Sequence, residues 1–196
     1  GTDAVTDRGF TLVNGGAGAP VIEVGAARTV EFSGLVTSSD DAGLTKTGAG
    51  TLVLSNSAND YIGVTTVTGT DSTLSVGTLA DGGMASGIGA ATADSANLVL
   101  SDGGRLRYTG GTTDIDRGFT LASGAGRIDV VPAATTLTVG GTVTGAGRLF
   151  KDGDGTLVLT GANTYTGDTV VAGGTLRAGS GRAFGPATNI MDVNRG

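Results

Sequence analysis

The sequence predicts an all-β solenoid, a β-helix, and three observations carry that prediction. One stretch is written twice: Gly43–Gly63 reads GLTKTGAGTLVLSNSANDYIG and Gly147–Gly167 reads GRLFKDGDGTLVLTGANTYTG. Apolar and polar residues alternate in many short runs. Glycine supplies 38 of 196 residues without a collagen period and falls between Val, Ile, Leu and Thr runs, so it punctuates strands rather than loosening a linker. Self-similarity at a long period marks a repeat architecture, in which each unit buries its apolar face against its neighbours. A sandwich or barrel would account for the alternation but not for a repeat that stops part-way through a third pass.

The doubling orders the elements. Asp7-Arg8-Gly9-Phe10-Thr11-Leu12 recurs letter for letter at residues 116–121, and Thr73-Leu74 with Gly77 recurs as Thr175-Leu176 with Gly179. The offset shrinks from 109 to 105 to 102 along the chain, as expected where strands are kept and turns vary in length. The copies run from about 6 to 83 and from about 112 to 187, and a partial third begins at 184, where Phe184-Gly185-Pro186-Ala187-Thr188 answers Ile88-Gly89-Ala90-Ala91-Thr92. Residues 1–196 thus read as a single β-helical segment of a longer array.

Period-two patterns predict strands at Val21–Val24, Val30–Phe32, Arg105–Tyr108, Arg127–Val130, Thr136–Val139 and Thr156–Thr160. Each sets large apolar side chains on one face and charges or hydroxyls on the other. Gly-Gly, Asn-Gly, Asp-Gly and Ser-Gly pairs supply the turns between them. Only Ala80–Ala96 admits a short helix. Comparing the copies, Leu149 answers Leu44 while Phe150 answers Thr45, so the leucine marks the core and Phe150 faces outward or is half-covered. Lys46 and Lys151 fall on the leucine side, next to a turn. A bulge or strand end is expected there rather than a buried ammonium, because an unpaired buried charge is costly. Three strands per coil, recurring about every nine residues, give roughly seven to nine coils and a rod of about 35–40 Å.

Composition excludes several functions. Cysteine, histidine and tryptophan are absent, which removes disulfides, thiol nucleophiles, imidazole bases and the commonest zinc ligands. The lack of cysteine also suits a chain exported unfolded. A net charge of −6 with two lysines argues against nucleic-acid binding, which needs a basic footprint. No apolar run approaches the roughly 20 residues of a membrane helix, so no membrane insertion of this segment is expected.

Gly153–Gly179 reads GDGTLVLTGANTYTGDTVVAGGTLRAG, which resembles the passenger-associated transport repeat, also called the autotransporter-associated β-strand repeat. The family pattern combines GxGTL and two alternating residues with GxNTYTG, a Thr-Val step and GGTLxxG. Gly48–Gly77 follows it with Asn56 in place of the Gly after the strand, Ile62 in place of a Thr, and extra residues near Ala58 and Asp71. The two stretches cover 57 of 196 residues. Residues assigned to the structural motif are Gly50, Thr51, Leu52, Leu54, Tyr61 and Gly63 in the first copy. In the second they are Gly155, Thr156, Leu157, Leu159, Asn163, Tyr165, Gly167, Gly174, Thr175 and Leu176.

The resemblance implies a right-handed parallel β-helix in the surface-exposed or secreted passenger of a type V secretion protein of a Gram-negative bacterium. It implies a stalk that promotes export and folding and serves as an adhesin or autoaggregation scaffold. Its partners would be the protein's own C-terminal outer-membrane β-barrel, itself in self-association, or a host surface protein or glycan. Neither catalysis nor a cofactor is expected.

Asp152-Gly153-Asp154 has the spacing of half a calcium site or a carboxylate pair, but its counterpart Thr47-Gly48-Ala49 has no carboxylate; Asp152 and Asp154 are weak metal candidates and otherwise turn residues. Asp114 and Asp116 read as turn caps, and Asp40-Asp41 as a solvated loop tip. Arg105 and Arg107 share the outward face of one strand, with Arg117 and Arg127 further along, and could grip an acidic glycan; Arg105 and Arg107 are the ligand-binding candidates. Tyr61 and Tyr165 could stack on a sugar but fit a turn or cap better. A glycan-binding or polysaccharide-cleaving β-helix is therefore the alternative. A remote one is an ice-binding solenoid, since Thr-x-Thr begins at Thr45, Thr66, Thr136, Thr142 and Thr164, though at irregular spacing.

Overall fold

The computed structural model describes residues 4–15 and 18–193. In chain order its strands begin with β1 (Ala4–Thr6), β2 (Phe10–Leu12), β3 (Val21–Glu23), β4 (Thr29–Phe32), β5 (Val36–Ser38), β6 (Leu44–Thr47) and β7 (Thr51–Leu54). Next come β8 (Thr65–Thr68), β9 (Thr73–Val76), β10 (Leu98–Ser101), β11 (Arg105–Tyr108), β12 (Thr113–Ile115), β13 (Phe119–Leu121) and β14 (Ala125–Val130). The last are β15 (Thr136–Val139), β16 (Val143–Gly145), β17 (Arg148–Asp152), β18 (Thr156–Leu159), β19 (Thr169–Val171), β20 (Thr175–Ala178) and β21 (Met191–Val193). The one helical element among the described residues is a 3-10 turn at Ser95–Asn97. The Asp94 carboxylate caps it by accepting from the Ala96 amide. It overlaps the end of the stretch where the sequence admits a helix.

All strand pairings are parallel, and each joins a strand to its counterpart one coil further on: Val30, Leu52 and Leu74 are successive partners, about 22 residues apart. The first face of the coil is a nine-stranded sheet in the order β1-β4-β7-β9-β11-β14-β17-β19-β21. The second is β16-β13-β10-β8-β6-β3, and the third carries the pair β2-β5 and the set β12-β15-β18-β20. The chain is thus a parallel β-solenoid of about nine turns. Nine stacked strands at ~4.8 Å give a rod of about 38 Å. Coils are shorter than three strands at nine-residue spacing because corners are tight: Thr47 to Thr51 turns in three residues.

Parallel stacking places like residues over one another, so the core is a set of aliphatic columns. Leu52, Leu74, Leu106 and Ile128 follow one another up the first face, and Leu54, Val76, Tyr108 and Val130 run beside them; all are buried. Pairing along the axis satisfies the backbone while the columns exclude water. Leu44 and Leu149 are both fully buried and Phe150 lies half-covered on the outside, as comparison of the copies requires.

The doubled stretch does not return to the same side of the rod. Its lysine strand is β6, on the second face, in the first copy and β17, on the first face, in the second; its Thr-Leu-Val-Leu strand moves from the first face (β7) to the third (β18). An offset of 105 residues is not a whole number of coils of about 22, and the coil from Leu74 to Leu106 is longer because residues 77–97 form a loop. The copies are therefore related by a rise along the axis and a step of one face around it.

Candidate functional site

The first surprise is internal. Lys46 and Lys151 are fully buried, and register puts them inside the aliphatic columns: Lys46 between Ile22 and Val67, Lys151 between Ile128 and Val171. The expectation of a bulge or strand end is corrected, since both are buried ammoniums. The cost of desolvation is offset because each ammonium has three donors and finds three acceptors. Lys46 Nζ donates to the carbonyls of Thr47 (2.7 Å) and Gly48 (2.8 Å) and to Ser72 Oγ (3.1 Å). Lys151 Nζ donates to the carbonyls of Asp152 (2.6 Å), Gly153 (2.9 Å) and Gly173 (3.2 Å). In each, two acceptors come from the lysine's own corner and one from the next coil. Each lysine thus staples consecutive coils through hydrogen bonds rather than an ion pair. Burial lowers the Lys46 pKa to about 8 against the opposing pull of Glu23. Lys151 is lowered in the same way, opposed by Asp129, Asp152 and Asp154.

A second device repeats with it. Tyr61 and Tyr165 are fully buried, and their hydroxyls meet Thr65 Oγ1 at 2.9 Å and Thr169 Oγ1 at 2.7 Å. Burial raises the Tyr61 pKa to about 12, and neither ring is open to a sugar. Asn59 Oδ1 accepts from the Val36 amide (2.9 Å) and Asn163 Oδ1 from the Val143 amide (2.7 Å), so each asparagine continues the ladder where the chain is looped rather than extended. Asn163 Nδ2 also donates to the Ala183 carbonyl (2.6 Å). The Asn and Tyr of the motif are therefore internal: the asparagine replaces a strand's backbone acceptor where the turn runs across a face, and the tyrosine ring fills the core beside it.

On the outside of the first face the structure joins two candidate sites that lie far apart in sequence. Arg127 makes a forked pair with Asp152, Nε to Oδ2 at 2.7 Å and Nη2 to Oδ1 at 2.8 Å, and Arg105 Nε lies 3.6 Å from the same Oδ2. Arg107 Nε lies 3.6 Å from Asp129 Oδ2, and Arg148 reaches Asp168 at 3.2 Å. The Arg127 guanidinium also sits 4.6 Å from the centre of the Phe150 ring, a cation–π contact. Asp152 is thus held by arginine, and Asp154 is exposed. Among the described residues no group of three or more acidic side chains is placed to hold a metal ion. Asp40 and Asp41 both adopt positive φ in a turn.

Arg117, grouped from the sequence with the surface arginines, is instead buried and donates through Nη2 to the carbonyls of Met84 (3.1 Å) and Gly89 (3.0 Å), which lie in the loop one coil earlier. Among the described residues three basic side chains, Lys46, Arg117 and Lys151, and one acidic one, Asp129, are buried, so the outer surface is more acidic than the net charge of −6 states. The threonine pattern also takes shape in three dimensions. Thr45 and Thr66 stack on the second face, but Val99 interrupts the column, and Thr120 and Thr144 are tied to Ser95. A shallow groove of about 820 Å³ runs along the rod beside the ion-pair ladder, with Asp102, Arg148, Phe150 and Asp168 on its walls.

Coils, repeated internal polar residues and an uneven outer surface together define a structural segment built by duplication. A model of the passenger-associated transport repeat matches residues 44–69 and 149–178, the two stretches that hold the stapling lysines and buried tyrosines. This makes the chain a solenoidal repeat segment of the autotransporter-passenger class, a class found at the surface of Gram-negative bacteria or released from it. Over 172 residues, 87% of its length, the chain is 58% identical to a protein of Brucella suis biovar 1 (strain 1330) described as "Adhesin BmaC autotransporter". It spans 5% of that protein. No solved structure matches it. No helix among the described residues is long and apolar enough to cross a membrane.

Proposed function

We propose that the chain is one continuous solenoidal segment of a longer adhesin passenger, a stalk that promotes export and presents a charged face for adhesion, with no catalysis or cofactor of its own. One observation carries this reading: the residues repeated between copies lie in columns, corners and coil staples, while the outward ion-pair ladder is not repeated. A repeat that keeps only what stacks coils favours folding one coil after another as the chain emerges. The relative's description as an autotransporter adhesin supports the adhesive role. The protein's own outer-membrane barrel lies elsewhere in the polypeptide, and the adhesive partner is a host surface protein or glycan or a second passenger.

A display assay in the parent protein tests the export role. Leu157→Asp with Leu159→Asp should strongly reduce passenger at the cell surface; undiminished display would sink the idea. The second reading is glycan binding on the first face. It is favoured by the groove at Arg148 and Phe150 and by the adjacent Arg105 and Arg107. A glycan array on the wild-type chain and on an Arg105→Ala, Arg107→Ala variant separates the two: loss of a wild-type signal supports a contact surface, and no wild-type signal leaves an inert stalk.

A further inference from the structure

The hexapeptide Asp-Arg-Gly-Phe-Thr-Leu occurs twice with identical letters and two different environments. Its downstream side is the same in both. Gly9 lies so close to Leu35, and Gly118 to Thr142, that a methyl group on either would run into the carbonyl of the following coil. Gly34 and Gly141 are likewise pressed against the amides of Gly9 and Gly118.

The upstream side differs. In the second copy it is engaged by the loop that precedes it. Asp116 Oδ1 accepts from the Gly82 amide (2.7 Å), the Asp116 amide donates to Asp81 Oδ1 (2.9 Å), and Arg117 holds the Met84 and Gly89 carbonyls. Arg117 is 4% and Phe119 2% exposed. In the first copy Asp7 and Arg8 are exposed, and their side chains have no hydrogen-bond or ion-pair partner among the described residues. Phe10 is only partly covered and opens, with Leu12, Pro20, Ile22 and Phe32, onto an apolar cleft at the end of the rod.

We infer that Asp7, Arg8 and Phe10 form a docking site for a glycine-rich loop of the repeat unit preceding this one in the parent passenger. The chemistry that site takes is read from its occupied twin: a main-chain amide for the Asp7 carboxylate, a loop carboxylate for the Asp7 amide, and two loop carbonyls for the Arg8 guanidinium. In the twin a single nitrogen, Nη2, reaches both carbonyls, so the site takes a loop end that brings two main-chain carbonyls together at one guanidinium edge. The relative shows that a passenger of this kind has chain to supply it, since this segment spans 5% of that protein. The site is thus a joint between units, and the hexapeptide is the hook that fixes how each unit follows the last. The inference goes beyond the adhesive reading and stands whether or not that reading holds.

Hydrogen exchange at residues 7–12 tests it, compared between the 196-residue chain and a passenger that also carries the preceding repeat. The expected result is about tenfold slower exchange in the longer protein, lost on Arg8→Ala there, while Arg8→Ala leaves the short chain unchanged. Arg117→Ala serves as the positive control, since it should speed exchange at 116–121 in both. Equal exchange in the two wild-type proteins overturns the inference. So does protection in the short chain that grows with its concentration, which would assign the site to a second copy.

Discussion

Raising the pH from neutral to about 9.5 should stabilise this solenoid. Lys46 has a pKa of about 8 in the fold against an ordinary 10.5. Between those values the unfolded chain binds the proton that the folded chain has released, so stability rises with pH and the gain is lost as pH falls back through about 8. By about pH 9.5 the gain from Lys46 alone is about 2 kcal/mol, and Lys151, lowered for the same reason, adds in the same direction. The window is clear because the chain has no histidine or cysteine. Tyr61, raised to about 12 from 10.0, works the other way: its contribution is complete below 10 and lost as pH climbs toward 12. The expected profile is therefore a maximum near pH 10. Urea unfolding followed by far-ultraviolet circular dichroism at a series of pH values measures it. Lys46→Met should remove part of the rise, and Lys46→Met with Lys151→Met nearly all of it. A midpoint that is flat or falling from pH 7.5 to 9.5 would refute buried, hydrogen-bonded ammoniums as the structure describes them.

Other perturbations have equally definite expectations. Asn163→Ala strips partners from the Val143 amide and the Ala183 carbonyl and should cost about 2–4 kcal/mol in the same unfolding assay. Gly118→Ala places a methyl against the Thr142 carbonyl and should cost about 3 kcal/mol, whereas Gly111→Ala, where a Cβ meets nothing, should be close to neutral. A double-mutant cycle on Arg127→Ala and Asp152→Asn should give a coupling of about 1 kcal/mol that shrinks in molar salt, because both groups are partly exposed.

The strands were legible because alternation is a local signal. Thr136–Val139 and Arg105–Tyr108 show it in four residues each, and copy-to-copy comparison even chose Leu149 over Phe150 as the inward residue. Lys46 and Lys151 were misjudged by a rule that holds for an isolated charge. What offsets burial here is a set of carbonyls brought to one corner by two coils, and no local window contains both. The ion-pair ladder was hidden for a related reason: Arg105 and Asp152 are 47 positions apart in sequence and meet only because their strands share the first face with a single strand, β14, between them.

By itself, then, the sequence determined that the chain is a stack of short parallel strands and which residues form its repeated columns and corners, since period and duplication are written along one dimension. Only the tertiary structure decided which polar groups the stack would bury and which charges would pair on its surface. Those outcomes depend on which coil lies above which. That is set by the register in which each coil settles on the last: first-face partners are 20 to 32 residues apart, and the extra residues loop out, as 77–97 do, while the column itself is kept.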